Sequence, residues 1–173
     1  MDRLIDDFGR NLNYVRISVT DRCNYRCKYC MPPEGVEFLE HSEIMRYEEI
    51  SFLCRVLWEL GVRKVRFTGG EPLVRRGLVS FLKDLNREFP EMKTALTTNG
   101  SLLGQFSCQL AEANIHSLNI SLDTLDPVKF ADVTRLGDLD TVISGIRAAV
   151  KAKIRNIKLN TVLIRGFNDK EIG

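Results

Sequence analysis

The sequence predicts an α/β fold, a partial (βα) barrel of about five parallel units that stops short of closure. Two observations carry that expectation. From Val15 onward, short β-rich runs alternate with helical patterns, and no Pro/Gly/Ser-rich linker or low-complexity stretch interrupts them. Each helical pattern carries one apolar stripe, the face a helix lays on a sheet.

Strands are expected at 15–20, 64–68, 94–99, 118–123 and 157–164. Between them Ile50, Leu53, Cys54 and Leu57 recur at helical spacing, as do Leu78, Phe81, Leu82, Leu85 and Phe89. Leu103, Phe106 and Leu110 form a third stripe, and Leu139, Val142, Ile143, Ile146 and Val150 a further one. Asp126 followed by Pro127 reads as the cap and first residue of a short helix after the fourth strand. Asn168 with Glu171 reads as a capping-box start, close before the last residue, Gly173. A closed eight-unit barrel takes about 250 residues, so residues 1–173 are expected to form one incomplete core domain with an open edge.

The strands alternate with period two. On one face lie Val15, Ile17, Val19, Val65, Phe67, Leu118, Ile120, Leu122, Ile157 and Leu159. The other carries Arg16, Ser18, Thr20, Arg66, Thr68, Asn119, Ser121, Asp123, Lys158 and Asn160, and Thr97 and Asn99 extend it across the third strand. A barrel interior packed dry would hold branched aliphatics. With helices covering the apolar face, Arg16, Arg66 and Lys158 point inward with Asp123 as the main opposing charge. Buried charge is costly unless partnered, so this interior is expected to be wet or to hold an anion. Read one at a time, the same residues would be ordinary surface charges.

Composition narrows the function. At 44% hydrophobic and 28% charged residues the chain is of ordinary globular make-up. A net charge of only +2 gives no electrostatic case for a nucleic-acid surface or an anionic membrane. No apolar run is long enough to span a bilayer, and "MDRLIDDFGR" has neither signal-peptide nor transit-peptide character, so a cytoplasmic location is expected. Five cysteines, three of them crowded together, do not make a disulfide framework; metal or redox chemistry fits better.

Cys23, Cys27 and Cys30 follow the first strand directly, at the carboxyl end where α/β sheets place their sites, with the spacing Cys-x3-Cys-x2-Cys. Thiolates bind soft metals, and four-iron clusters are normally held by four of them. Three would leave one iron without a protein ligand, an open position of the kind catalytic metal sites keep. A structural zinc site needs a fourth ligand, and His41 and His116 sit far along the chain. Cys54 belongs to a helix stripe and reads as core; Cys108 falls off its stripe.

"CNYRCKYC", with its aromatic Tyr29, resembles the signature of the radical S-adenosylmethionine (SAM) enzymes, and "TGGEP" at Thr68 to Pro72 resembles their second hallmark. More narrowly, "YVRISVTDRCNYRCKYCMPPEG", "GVRKVRFTGGEPLVRR", "LTTNG", "NISLDTLDP" and "KLNTVLIRGFNDKEI" are similar to successive segments of the GTP 3',8-cyclase family, which opens molybdenum cofactor biosynthesis. The resemblance covers nearly the whole chain but only the amino-terminal half of that family. It implies a radical SAM type of partial barrel and a 4Fe-4S cluster on Cys23, Cys27 and Cys30 whose open iron takes S-adenosylmethionine. It also implies cofactor contacts from Tyr29, Gly70 and Ser121, with Glu71 orienting the segment and Pro72 starting the next helix. GTP is the implied substrate, contacted by Arg16, Arg66, Thr97 and Lys158. The implied reaction uses a 5'-deoxyadenosyl radical, formed with an electron from an unidentified donor, to take hydrogen from the ribose 3' carbon before cyclisation at guanine C8. Arg75 and Arg76 read as a solvated helix start, with a phosphate role as the alternative.

The family's second, carboxy-terminal three-cysteine cluster and its terminal glycine pair are not in this sequence, so the chain is expected to be a fragment that does not complete the reaction alone. Two other readings stand beside this one: a different radical SAM enzyme, such as a peptide-modifying one, and a zinc-stabilised scaffold in which the cysteines only hold a loop.

Overall fold

The computed structural model describes residues 4–171. Five parallel strands form one open sheet in sequential order: β1 (Tyr14–Ser18), β2 (Lys64–Thr68), β3 (Lys93–Thr98), β4 (Ser117–Ser121) and β5 (Ile157–Asn160). Five α-helices lie between them among the described residues, one in each of the first three connections and two in the last: α1 (Tyr47–Glu59), α2 (Leu78–Glu88), α3 (Leu103–Glu112), α4 (Pro127–Thr134) and α5 (Leu139–Lys151). No helix among the described residues is long and apolar enough to cross a membrane.

The alternation decides what is buried. Ile17, Val65, Phe67, Leu96, Leu118 and Ile120 lie in the core beneath helix residues Ile50, Cys54, Leu82, Leu103, Leu110 and Val142. The opposite face holds the polar residues in register: Arg16 is level with Arg66, Arg66 with Ala95, and Thr97 with Asn119 and then Lys158. Asp126 caps α4 as expected, its Oδ1 accepting the backbone N–H of Val128 and Lys129.

Several boundaries differ from expectation: β3 and β4 each begin one residue early and end short of 99 and 123. β1 begins at Tyr14 and its ladder ends at Ser18, two residues short of the predicted end. β5 stops at Asn160 rather than running to 164. The N–H of Val162 donates to Asp123 Oδ1 and that of Ile164 to Asn168 Oδ1, so these donors turn to side chains and the strand cannot continue. Asn168, read as a helix cap, is instead a buried latch whose amide donates to the carbonyls of Asp123 and Val162. Beyond it, among the described residues, lies a 3-10 turn, Asp169–Glu171. Likewise Pro72 opens a single 3-10 turn, Pro72–Val74, and the α-helix waits until Leu78. On the open side of the sheet Leu125, Leu159, Val162 and Leu163 are exposed.

Candidate functional site

The cysteine loop is fastened to the loop after β2. Gly70 N–H donates to the Thr20 carbonyl and Glu71 N–H to that of Arg22, each at 2.8 Å. A Cβ on Gly69 would run into the Thr20 carbonyl, and one on Gly70 into that of Arg22, so the glycine pair is demanded by the chain's own backbone. Glu71 is fully buried, its carboxylate accepting from Leu73 N–H (3.0 Å), the Thr98 hydroxyl (2.8 Å) and Asn99 N–H (2.6 Å). Burial pushes its carboxyl upward against the pull of those bonds. Asn99 in turn donates to Asn24 in the cysteine loop at 2.8 Å. Arg75 is not a solvated helix start: its guanidinium donates to the carbonyls of Val19 and Met45 and stacks over Tyr47.

The loop's other side is tied to α4. Arg26 N–H donates to the Thr134 carbonyl (3.1 Å) and Lys28 N–H to that of Val133 (2.9 Å). Arg135, at the end of α4, reaches the carbonyls of Arg26 (2.6 Å) and Met31 (2.9 Å). The Cys27 carbonyl accepts from Cys30 and Met31, closing the Cys-x2-Cys end into one turn.

All three thiols are free; Cys23 and Cys27 are half-buried and Cys30 is exposed. Burial, then the neighbouring cysteine charges, push the Cys27 thiol up to about 11, and burial likewise raises Cys23. A thiolate there needs a compensating cation, which bound metal supplies. Among the described residues no three His, Cys, Asp or Glu side chains converge on a point that would hold one metal ion. Three thiols within one short loop are donors of the kind that soft metals and iron-sulfur clusters take. Cys54 is buried on α1 and Cys108 is exposed on α3.

Tyr29 lies half-exposed beside these cysteines, and its hydroxyl donates to Asp123 Oδ2 at 2.6 Å. Burial, then that bond to a carboxylate, raise the phenol's pKa. Asp123, expected to oppose the inward cations, is thus engaged with Tyr29 and Val162. The ion pairs of the described residues include none of Arg16, Arg66 and Lys158. Arg66 is only 5% exposed, and its guanidinium is met by neutral acceptors: Tyr14 Oη (2.9 Å), the Leu96 carbonyl (3.2 Å) and Thr97 Oγ1 (3.4 Å). Arg16 Nε donates to the same Tyr14 oxygen at 3.2 Å. Lys158 is exposed on β5, and Ser121 half-buried on β4. On this face Arg16, Arg66 and Lys158 thus have no carboxylate paired to them among the described residues.

Residues 17–173 match the Radical SAM superfamily. The chain belongs to that superfamily. Its fold agrees: a SAM-bound SuiB from Streptococcus suis superposes with a TM-score of 0.74 at 21% identity over 92% of this chain and 34% of that one. Methylornithine synthase (PylB) superposes at 0.71 and 18% identity, over 91% of this chain and 46% of its own. In sequence, the GTP 3',8-cyclase of Petrotoga mobilis is 49% identical over 170 residues, 98% of this chain and 52% of that protein. That of Peptoclostridium acidaminophilum is 51% identical over 169 residues, with the same shares. The chain spans about half the length of these curated relatives. Within this radical SAM chain, Tyr14, the Tyr29–Asp123 pair and Arg135 escaped the sequence reading. Tyr14 alone had a signal there: it shares the period-two face of Arg16, one step before the expected strand start.

Proposed function

We propose that this chain is the SAM-cleaving, triphosphate-binding part of a GTP 3',8-cyclase, the enzyme class at the first step of molybdenum cofactor biosynthesis. In this reading Cys23, Cys27 and Cys30 hold a 4Fe-4S cluster, and Tyr29, Gly70 and Ser121 contact S-adenosylmethionine. When bound, that pair supplies a 5'-deoxyadenosyl radical for hydrogen abstraction, given an electron from a donor still to be identified. Gly70 commits its N–H to Thr20, which leaves its carbonyl to accept from the cofactor's amino group. Arg16, Arg66, Thr97 and Lys158 bind the phosphate chain of GTP.

The observation that carries the reading is Arg66: a buried guanidinium without a carboxylate, level with Arg16, on the face that also bears Lys158. Protein acceptors leave part of that charge uncompensated, and a phosphate chain is the anion that guanidinium forks bind in pairs. Residues 1–173 act as one core domain in a cytoplasmic enzyme. The five cysteines include no second group of three, so the complete cyclisation depends on the remaining length found in the relatives.

The test is anaerobic reconstitution with iron and sulfide, followed by paramagnetic resonance of the reduced protein with and without S-adenosylmethionine, and calorimetric titration with GTP. A cofactor-dependent change in the cluster spectrum and GTP binding that weakens in Arg16→Gln and Lys158→Gln are expected. Zinc with no iron-dependent signal, or unchanged GTP affinity in both variants, would remove the proposal.

A further inference from the structure

Tyr14 opens the first of the segments quoted above, but no role falls to it there. It shares the polar face with Arg16 and is level with Lys64, whose Nζ stands 5.3 Å from its ring centroid. Its phenol oxygen accepts from two guanidinium groups at once, Arg66 Nε at 2.9 Å and Arg16 Nε at 3.2 Å. Those arginines are direct neighbours across β1 and β2, where like charges repel. The phenol oxygen is the acceptor they share.

The geometry has two consequences. Each arginine spends its Nε–H on the phenol. Arg16 thus keeps both Nη groups free of Tyr14, and Arg66 turns Nη1 to Leu96 and Thr97 and keeps Nη2. The phenol acts only as acceptor in these two bonds, so its own O–H is a further donor on the same cationic face. Burial alone would raise the phenol's pKa, but the bonds and charges of Arg16 and Arg66 outweigh burial and lower it, which sharpens the O–H as a donor.

We propose that Tyr14 is a phosphate-binding and positioning residue, which holds Arg16 and Arg66 as a fixed pair and presents its hydroxyl to the phosphate chain of a nucleoside triphosphate. The inference rests on the GTP reading above and adds to it a residue that reading does not assign. Its ligand class is a polyphosphate, since two guanidinium groups and a hydroxyl meet several anionic oxygens together.

The test titrates GTP, guanosine and inorganic tripolyphosphate into the chain, comparing the parent with Tyr14→Phe and Arg16→Gln. Tyr14→Phe keeps the ring, and thermal unfolding checks that it folds like the parent. It should weaken GTP and tripolyphosphate roughly tenfold and leave guanosine unchanged. Tripolyphosphate affinity of the parent should also fall as pH rises toward the phenol's lowered pKa, because a phenolate repels the anion; Tyr14→Phe should lack that step. If Arg16→Gln weakens GTP while Tyr14→Phe does not, the role of Tyr14 is overturned and the GTP reading stands. Equal weakening of guanosine and GTP by Tyr14→Phe would mark a merely structural residue and overturn the inference. If neither variant weakens GTP, the triphosphate reading falls and the inference with it.

Discussion

Arg66→Met separates a binding role from a structural one. Removing an ion from water costs several kcal/mol even after relaxation, and Arg66 is 5% exposed. Against this stand its bonds to Tyr14, Leu96 and Thr97 at 2.9, 3.2 and 3.4 Å. Bonds to charged groups contribute about 1.5–3 kcal/mol each, the longest of these three the least. The two sides nearly cancel. Methionine is unbranched and adaptable, and the Tyr14 oxygen keeps its bond from Arg16, so that acceptor is not orphaned. The unfolding free energy in urea should therefore stay within about 1 kcal/mol of the parent. GTP binding should not stay level. Losing a charge-assisted phosphate contact of about 1.5–3 kcal/mol weakens affinity roughly 10- to 100-fold. Urea titration and GTP calorimetry on the same preparations measure both. Several kcal/mol of lost stability with unchanged GTP affinity would show that Arg66 is a strut and that the reasoning about its uncompensated charge is wrong.

Other changes probe the rest of the site. Cys27→Ser should reduce bound iron to background after anaerobic reconstitution, while the far-ultraviolet circular dichroism of the metal-free protein persists; collapse of that spectrum in the metal-free parent would contradict a loop held by its own hydrogen bonds. Gly70→Ala drives a Cβ into the Arg22 backbone, an overpacking of about 1–3 kcal/mol or more, so the thermal midpoint should fall by at least about 2 °C, and an unchanged midpoint would refute the close contact. Asp138 caps α5, and bonds from Thr141 hold its carboxyl below the ordinary 3.8. Its contribution is present in full above that unfolded value and is lost as pH falls through the folded one. Acid titration should therefore bring parent and Asp138→Asn stabilities together across that window, and parallel curves would show that the cap does not titrate.

What was legible in the sequence was what local spacing encodes. Alternation placed Arg16, Arg66 and Lys158 on one face because a strand's period is fixed by its backbone, whatever it packs against. The cysteines were legible for the same reason, lying within one short loop. What escaped depends on partners distant in the chain. Asp123 looked like a counter-charge, but Tyr29, ninety-four positions away in sequence, takes one of its oxygens. The predicted end of β5 failed because Asp123 and Asn168 accept the very N–H groups that a longer strand would have used. Arg75 looked solvated because no local pattern announces the carbonyls of Val19 and Met45.

The long connection between β1 and α1 shows why such distant partners matter to function. Apart from one 3-10 turn, His41–Glu43, it has no regular structure, and loops of that length in compact domains usually carry function. Its order comes from both neighbours: Gly70 and Glu71 zip onto Thr20 and Arg22 on one side, Thr134 and Val133 accept from Arg26 and Lys28 on the other. Arg135 adds two more bonds from a backbone held at φ 62°, a conformation a non-glycine residue adopts at some strain. That strain persists at the point where α4 ends and the cysteine loop begins to be gripped. The thiols of Cys23, Cys27 and Cys30 therefore sit on a segment held by backbone bonds to the loop after β2 and to α4. Those bonds make Arg135, remote from the motif in sequence, part of what holds the motif in place.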